Sequence, residues 1–153
     1  MTKPRATRTF RRILHPSDFS PAARPAFRKA VELAKTTGAE LVIAHVLPTL
    51  PLMPDTYIAA TTYNEMLGAQ RASGQQQLNR LVAAAKAAGA RASGTLLGFG
   101  VPADSIARLA KSRRADVIVI GTHGRTGFRR ALMGSVAARV IALARCPVLT
   151  VRA

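Results

Sequence analysis

The chain has 153 residues, 48% of them apolar and 20% charged, which suits one domain burying about 70% of the surface its unfolded chain would expose and argues against wholesale disorder. Its 23 Lys and Arg against 7 Asp and Glu leave a formal net charge of +16, so nucleic acid, anionic lipid and phosphorylated ligands all stay open as partners. No apolar run reaches the roughly 18 residues of a membrane helix, the basic amino terminus lacks the apolar stretch of a secretory signal, and Cys146 is the single cysteine, which excludes an internal disulfide or a cysteine-based zinc site; the expectation is a globular, cytoplasmic protein.

In chain order, residues 1–10 read as a basic tail and 11–153 as one domain. Ile13-Leu14-His15 is a short apolar strand broken by Pro16. Ser17 to Pro21 reads as a loop and helix start, with Ser20 as N-cap and Pro21 at the first helical position. Ala22 to Thr37 carries Ala23, Phe27, Ala30, Val31 and Ala34 at helical spacing, and Gly38 ends it. Leu41 to Leu47 is a buried strand rich in β-branched residues. Pro48, Pro51 and Pro54 make the next stretch a loop. A helix resumes near Thr61 and runs to about Ala88, with Met66, Leu67, Leu78, Leu81, Val82 and Ala85 on its apolar side. Gly68 and Gly74 weaken it, by roughly 1 kcal/mol each relative to Ala. Arg91 to Leu97 is a weaker strand, Pro102 to Ser112 a short helix, and Val117 to Ile120 the clearest buried strand. A helix from about Gly134 to Ala144 and the strand Val148 to Val151 complete the chain.

Strands separated by helices imply right-handed crossovers and a parallel sheet. The expected fold class is therefore α/β: a doubly wound, five-stranded parallel sheet of Rossmann-like type, order 3-2-1-4-5, with helices on both faces. In such a sheet a ligand lies beyond the carboxyl ends of the strands, where the strand order reverses. That directs attention to Pro16-Ser17-Asp18 after the first strand and to the stretch from Gly121 to Ser135 after the fourth. In the second, Gly121, Gly124, Gly127 and Gly134 allow positive φ and close backbone approach, so main-chain N–H groups can gather around an anion. Gly134-Ser135 opens a helix whose first N–H groups are unpaired and partly positive. Arg125, Arg129 and Arg130 bring charge that could neutralise phosphates. The chemistry suits a triphosphate cradle built mostly from backbone.

The spacing Gly121-x2-Gly124-x9-Gly134-Ser135 resembles the G-x2-G-x9-G-[S/T] signature of the ATP-binding members of the universal stress protein family. Ile13 to Ser20, Ala44-His45-Val46 and Cys146 to Arg152 resemble that family's first strand and loop, second strand end and last strand. The likeness spans about residues 11 to 152 and implies a fold of the adenine nucleotide alpha hydrolase-like type. It implies that Pro16, Ser17 and Asp18 border the adenosine, with Asp18 near ribose or adenine, and that Val46 offers backbone atoms to the adenine edge. Gly121, Thr122, His123, Gly124, Arg125 and Gly127 would line the ribose and phosphates. Gly134, Ser135 and Val136 would hold phosphate through backbone N–H groups and the Ser135 hydroxyl. It further implies ATP as the ligand, with the magnesium requirement open, a nucleotide-dependent stress-response or regulatory role, and a homodimer joined through Val148–Val151. His15 departs from the family, many of whose members carry an aliphatic residue there, and the strongly basic surface departs as well.

Blander readings stand beside these. Asp18 could cap the first helix, and the arginines could be solvated charges. Gly98-x-Gly100-x-x-Ala103 fits a dinucleotide fingerprint but follows the third strand, where a turn into the helix at Pro102 explains it. His15 and His45 read as core or site-wall histidines rather than metal ligands, and Cys146 as a small buried side chain. No G-x4-G-K-[S/T] occurs, and neither a Ser/His/Asp arrangement nor paired carboxylates can be read, so no catalytic residue is assigned and no metal site. Two alternatives remain: a slow ATPase, for which no water-positioning residue can be named, and a nucleic-acid-binding protein driven by the charge excess, which the sequence favours less for want of interleaved aromatics and a recognition helix.

Overall fold

The structure is a computed structural model that describes residues 10–50, 59–123 and 133–153. The elements alternate throughout: β1 (Arg12–Pro16), α1 (Arg24–Thr37), β2 (Glu40–Val46), α2 (Ala60–Ala87), β3 (Arg91–Leu97), α3 (Pro102–Ser112), β4 (Val117–Gly121), α4 (Ser135–Leu143) and β5 (Val148–Val151). The sheet has five strands, all parallel as the alternation predicts, in the expected fold-class order β3-β2-β1-β4-β5. Among the described residues, no helix is long and apolar enough to cross a membrane.

Period-two alternation sorts the strand side chains onto two faces. Ile13, Leu41, Ile43, Val117 and Val119 meet Ala30, Val31 and Ala34 of α1 and Leu78 and Ala85 of α2. Leu14, Val42, Ala44, Ile118 and Ile120 meet Ile106 and Leu109 of α3 and Ala137 and Val140 of α4. The central strands are thus covered twice, which is why they read as unbroken apolar runs.

Several local expectations need correction. Pro16 does not break β1 but is its last residue, paired with Ala44. The first helix opens with a single 3-10 turn, Pro21–Ala23, and only then becomes α1. Ser20 holds the N-cap position of that turn without a side-chain cap bond. Met66 is not on the buried side of α2; it is exposed, and the helix buries Gly74, Leu78 and Ala85 instead. Gly74 is a site of close approach rather than a simple weak point: a Cβ there would stand 3.1 Å from the Leu47 side chain and 3.4 Å from those of His45 and Leu96.

Candidate functional site

The sheet splits at its switch point. The β1–β4 ladder is confined to Ile13↔Val117 and Leu14↔Ile118, whereas β1 stays paired with β2 to Pro16↔Ala44 and β4 with β5 to Gly121↔Val151. The cause is in the sequence. Ser17 N–H donates to Ala44 O of β2 at 2.8 Å. Main-chain groups alternate sides along a strand, so residue 16 faces β4. Residue 16 is a proline and has no N–H to give. Continuing the register sets Val119 opposite His15, so the carbonyl left without a main-chain donor is that of Val119. The buried His15 side chain supplies the replacement, with Nδ1 2.9 Å from Val119 O. Since a carbonyl only accepts, Nδ1 carries the proton. Burial pushes the His15 pKa down from 6.5 to about 4, against the opposing pull of the Val119 bond and the Asp18 charge. The imidazole is therefore neutral at physiological pH, and its Nε2 is buried without a partner.

Past Pro16 the chain turns sharply. Phe19 sits at φ 63°, a left-handed conformation unusual for an aromatic residue. Local polar groups hold it there: Phe19 N–H donates to Ser17 Oγ at 3.2 Å and Ser20 N–H to Asp18 Oδ1 at 2.9 Å. Asp18 therefore braces the loop ahead of the 3-10 turn. His45 Nδ1 donates to Ser17 O at 2.8 Å, and its ring stacks on Phe19 at 4.2 Å between centroids. Neither His45 nor Phe19 stood out in the sequence as a determinant of this loop; the positive φ demanded by a tight turn leaves no signature on a phenylalanine. A crevice of about 220 Å³, lined in part by Phe19, Arg24, Phe27 and Arg80, opens on the α1–α2 side of the loop.

At the end of β4, Gly121 lies against the 3-10 turn, where a Cβ would stand 3.4 Å from Ala22 O. Neither Gly121 nor Gly134 adopts positive φ; Gly134 has φ −70° and ψ 157°. The expected conformational freedom is thus unused at these two positions, and at Gly121 it is room beside another backbone that matters. Buried Thr122 donates its N–H to Val151 O at 2.9 Å, shares a hydrogen bond with His123 Nδ1 at 3.0 Å and accepts from Gly134 N–H at its carbonyl. That last bond seats the amino terminus of α4 beside the carboxyl end of β4. Gly134 is the N-cap and supplies no side-chain cap to α4, so the first N–H groups of the helix keep their partial positive charge. Ser135 and Val136 are exposed in that first turn.

Pro16, Ser17, Asp18, Gly121, Thr122, His123, Gly134, Ser135 and Val136 therefore converge at the carboxyl ends of β1 and β4. Val46 ends β2 beside them, and alternation from Ala44 turns its main chain toward β1, past the end of that strand. Gly124, Arg125 and Gly127, with Arg129 and Arg130, lie outside the described residues. Gly98 and Gly100 lead into α3 from Val101 at its N-cap, away from β1. Half-buried Cys146 packs on the α3–α4 core, and burial, with Asp116 second, pushes its thiol pKa up.

These features define a doubly wound α/β domain with polar and main-chain groups gathered at its topological switch point. The chain belongs to the universal stress protein family, whose model matches residues 9–152. It is 34% identical over 143 residues to a universal stress protein of Methanocaldococcus jannaschii, covering 94% of this chain and 82% of that one. Among solved structures, it resembles a universal stress protein in complex with cAMP (28% identity, TM-score 0.68, 94% and 98% of the two chains). It also resembles the universal stress protein of Archaeoglobus fulgidus in complex with dAMP (27% identity, TM-score 0.65, 94% and 99%).

Proposed function

We propose that this protein binds an adenine nucleotide, ATP in the first instance, across the ends of β1 and β4, and acts as a nucleotide-dependent regulatory module of the cytoplasm rather than as a catalyst. The observation that carries the reading is the junction of β4 and α4: Gly134 N–H bonded to Thr122 O beside an uncapped helix start. Such a terminus is a ready site for phosphate. The nucleotide complexes of two relatives support the same ligand class. In this reading Ser135 and Val136 hold phosphate at the helix start that the Gly134–Thr122 bond seats, Gly121, Thr122 and His123 flank it, and Pro16, Ser17 and Asp18 border the nucleoside with Val46. Gly124, Arg125 and Gly127 are assigned to the phosphates from the sequence. Among the described residues, Asp18 is the carboxylate beside these groups, and it braces the loop through Ser20 N–H. Magnesium, when bound, would neutralise phosphate charge.

The same reading includes a homodimer through β5. That strand is at the sheet edge, and Leu149, Ile141 and Leu143 are 40%, 44% and 41% exposed on or beside it, a pattern that suits an apolar contact between edges.

The test is a thermal melt with and without Mg-ATP at matched ionic strength, with inorganic triphosphate as control. A ligand that binds only the folded state stabilises it by about 2.7 kcal/mol at a hundredfold excess over Kd. A rise in Tm with ATP that exceeds the rise with triphosphate is expected; no shift at millimolar ATP overturns the reading. Light scattering of the wild type and Leu149→Arg tests the dimer, which the substitution is expected to break.

A further inference from the structure

The end of the sheet opposite the cleft carries a different chemistry. In a parallel sheet every strand begins, and every helix ends, at that end. Lys35 and Lys86 lie in the last turns of α1 and α2, and Lys111 in that of α3. A lysine in the last turn of each of these three helices, α4 having none, is what the macrodipole alone favours. The end holds more than that. Arg91 already donates to Gly38 O past α1 at 2.9 Å, and Arg12 to Arg113 O past α3. Arg113 and Arg114 follow α3 directly, Arg145 precedes β5, and Arg11 precedes β1; all four are exposed. Among the described residues, the carboxylates at the strand starts are Glu40 and Asp116, and both are occupied. Glu40 pairs with Arg12 at 3.0 Å and accepts from Ser93. Asp116 accepts the N–H groups of Arg11 and Arg12 at 2.7 and 2.8 Å. Glu32, a turn up α1, is paired with Lys29 at 2.7 Å.

We infer that this end of the sheet docks the phosphate backbone of duplex nucleic acid, without sequence preference and independently of the nucleotide cleft. A set of cations in excess over engaged carboxylates attracts a polyanion by counterion release. The face offers no exposed aromatic among the described residues, so it has no platform on which to stack the bases of a single strand. The chain has no Trp, and among the described residues this face shows no apolar wedge of the kind an interfacial membrane surface uses, since exposed Leu143, Ile141 and Leu149 belong to the β5 edge.

The experiment compares full-length wild type with two triple variants of equal charge, using a fluorescent mixed-sequence DNA duplex from low to moderate salt. Lys86→Gln/Lys111→Gln/Arg145→Gln neutralises exposed positions on the proposed face; Arg28→Gln/Arg71→Gln/Arg108→Gln neutralises the same number of exposed positions elsewhere. Circular dichroism and melting confirm that both fold. The first variant is expected to lose affinity about tenfold and to flatten the salt slope by roughly 0.9 for each phosphate contact removed, while the second stays within about twofold of wild type by the same reasoning. Equal losses in the two variants overturn the proposal, because net charge alone would then explain binding. So does an absence of duplex binding at low salt, with or without binding to phosphatidylserine vesicles. Displacement of the duplex by Mg-ATP at matched ionic strength would move the contact to the cleft and also overturn it.

Discussion

The two ends of this sheet solve opposite electrostatic problems. At the carboxyl ends of β1 and β4 the positive potential comes from oriented main-chain groups at the uncapped start of α4. At the strand starts it comes from side chains set on helix carboxyl termini, whose own dipoles are negative. Backbone donors are fixed, few and specific in geometry, which suits a small phosphorylated ligand. Lysines and arginines on long stems are adaptable and numerous, which suits an extended anion. Net charge alone cannot tell these functions apart; the direction of the strands can.

The largest effect that probes the carboxyl end is a pH dependence of stability. Burial depresses the His15 pKa from 6.5 to about 4, so the unfolded chain binds the proton more tightly than the folded one. The stabilisation is fully present above about pH 6.5 and is lost as pH falls toward 4. Its size is about 3 kcal/mol by proton linkage, to be read from urea melts at pH 7 and pH 4. His15→Leu should flatten this part of the profile while costing about 1–3 kcal/mol at pH 7, because Val119 O loses its donor.

Next in size is Gly134→Asp. A carboxylate at the N-cap suits an empty helix start and leaves the melting point of the ligand-free protein unchanged or higher. Placed against phosphate it should remove the nucleotide-induced stabilisation, about 2.7 kcal/mol at a hundredfold ligand excess. The opposite signs in the two melts separate loss of binding from loss of fold.

A smaller change sharpens the packing beneath the cleft. Gly74→Ala gains about 1 kcal/mol of helix propensity but drives a Cβ to 3.1 Å from the Leu47 side chain, and overpacking costs about 1–3 kcal/mol. A net loss of about 1 kcal/mol is expected by denaturant titration, with α2 displaced from β2. Smallest of all, Arg12→Gln removes a partly exposed pair with Glu40 and an exposed bond to Arg113 O, and should shift stability by about 1 kcal/mol or less, diminishing with salt.

The layer order and strand direction were legible because the central strands are apolar runs separated by helical periods. Gly134-Ser135 was legible because a glycine and a hydroxyl at a strand-to-helix junction have a local physical meaning. Pro16 was legible only in part. The sequence marks it as an interruption, but its consequence, a missing donor toward β4 filled by His15, depends on a partner whose pairing only the folded sheet reveals. His45 and Gly74 were hidden for the same reason: one closes a turn from a neighbouring strand, and the other admits a side chain from across the layer. The family resemblance implied an aliphatic residue where His15 stands, and the structure gives that departure a specific task.

The central claim is that main-chain groups at the ends of β1 and β4 receive the nucleotide. Backbone amide NMR of the isotope-labelled protein during titration with Mg-ATP, against inorganic triphosphate, tests it residue by residue. The account predicts ATP-dependent shifts at Val46, Gly121 and Gly134 to Val136, with Arg91 and Lys111 at the opposite end unmoved. Shifts confined to Arg91, Lys111 and their neighbours, or the same shifts with triphosphate as with ATP, would contradict it.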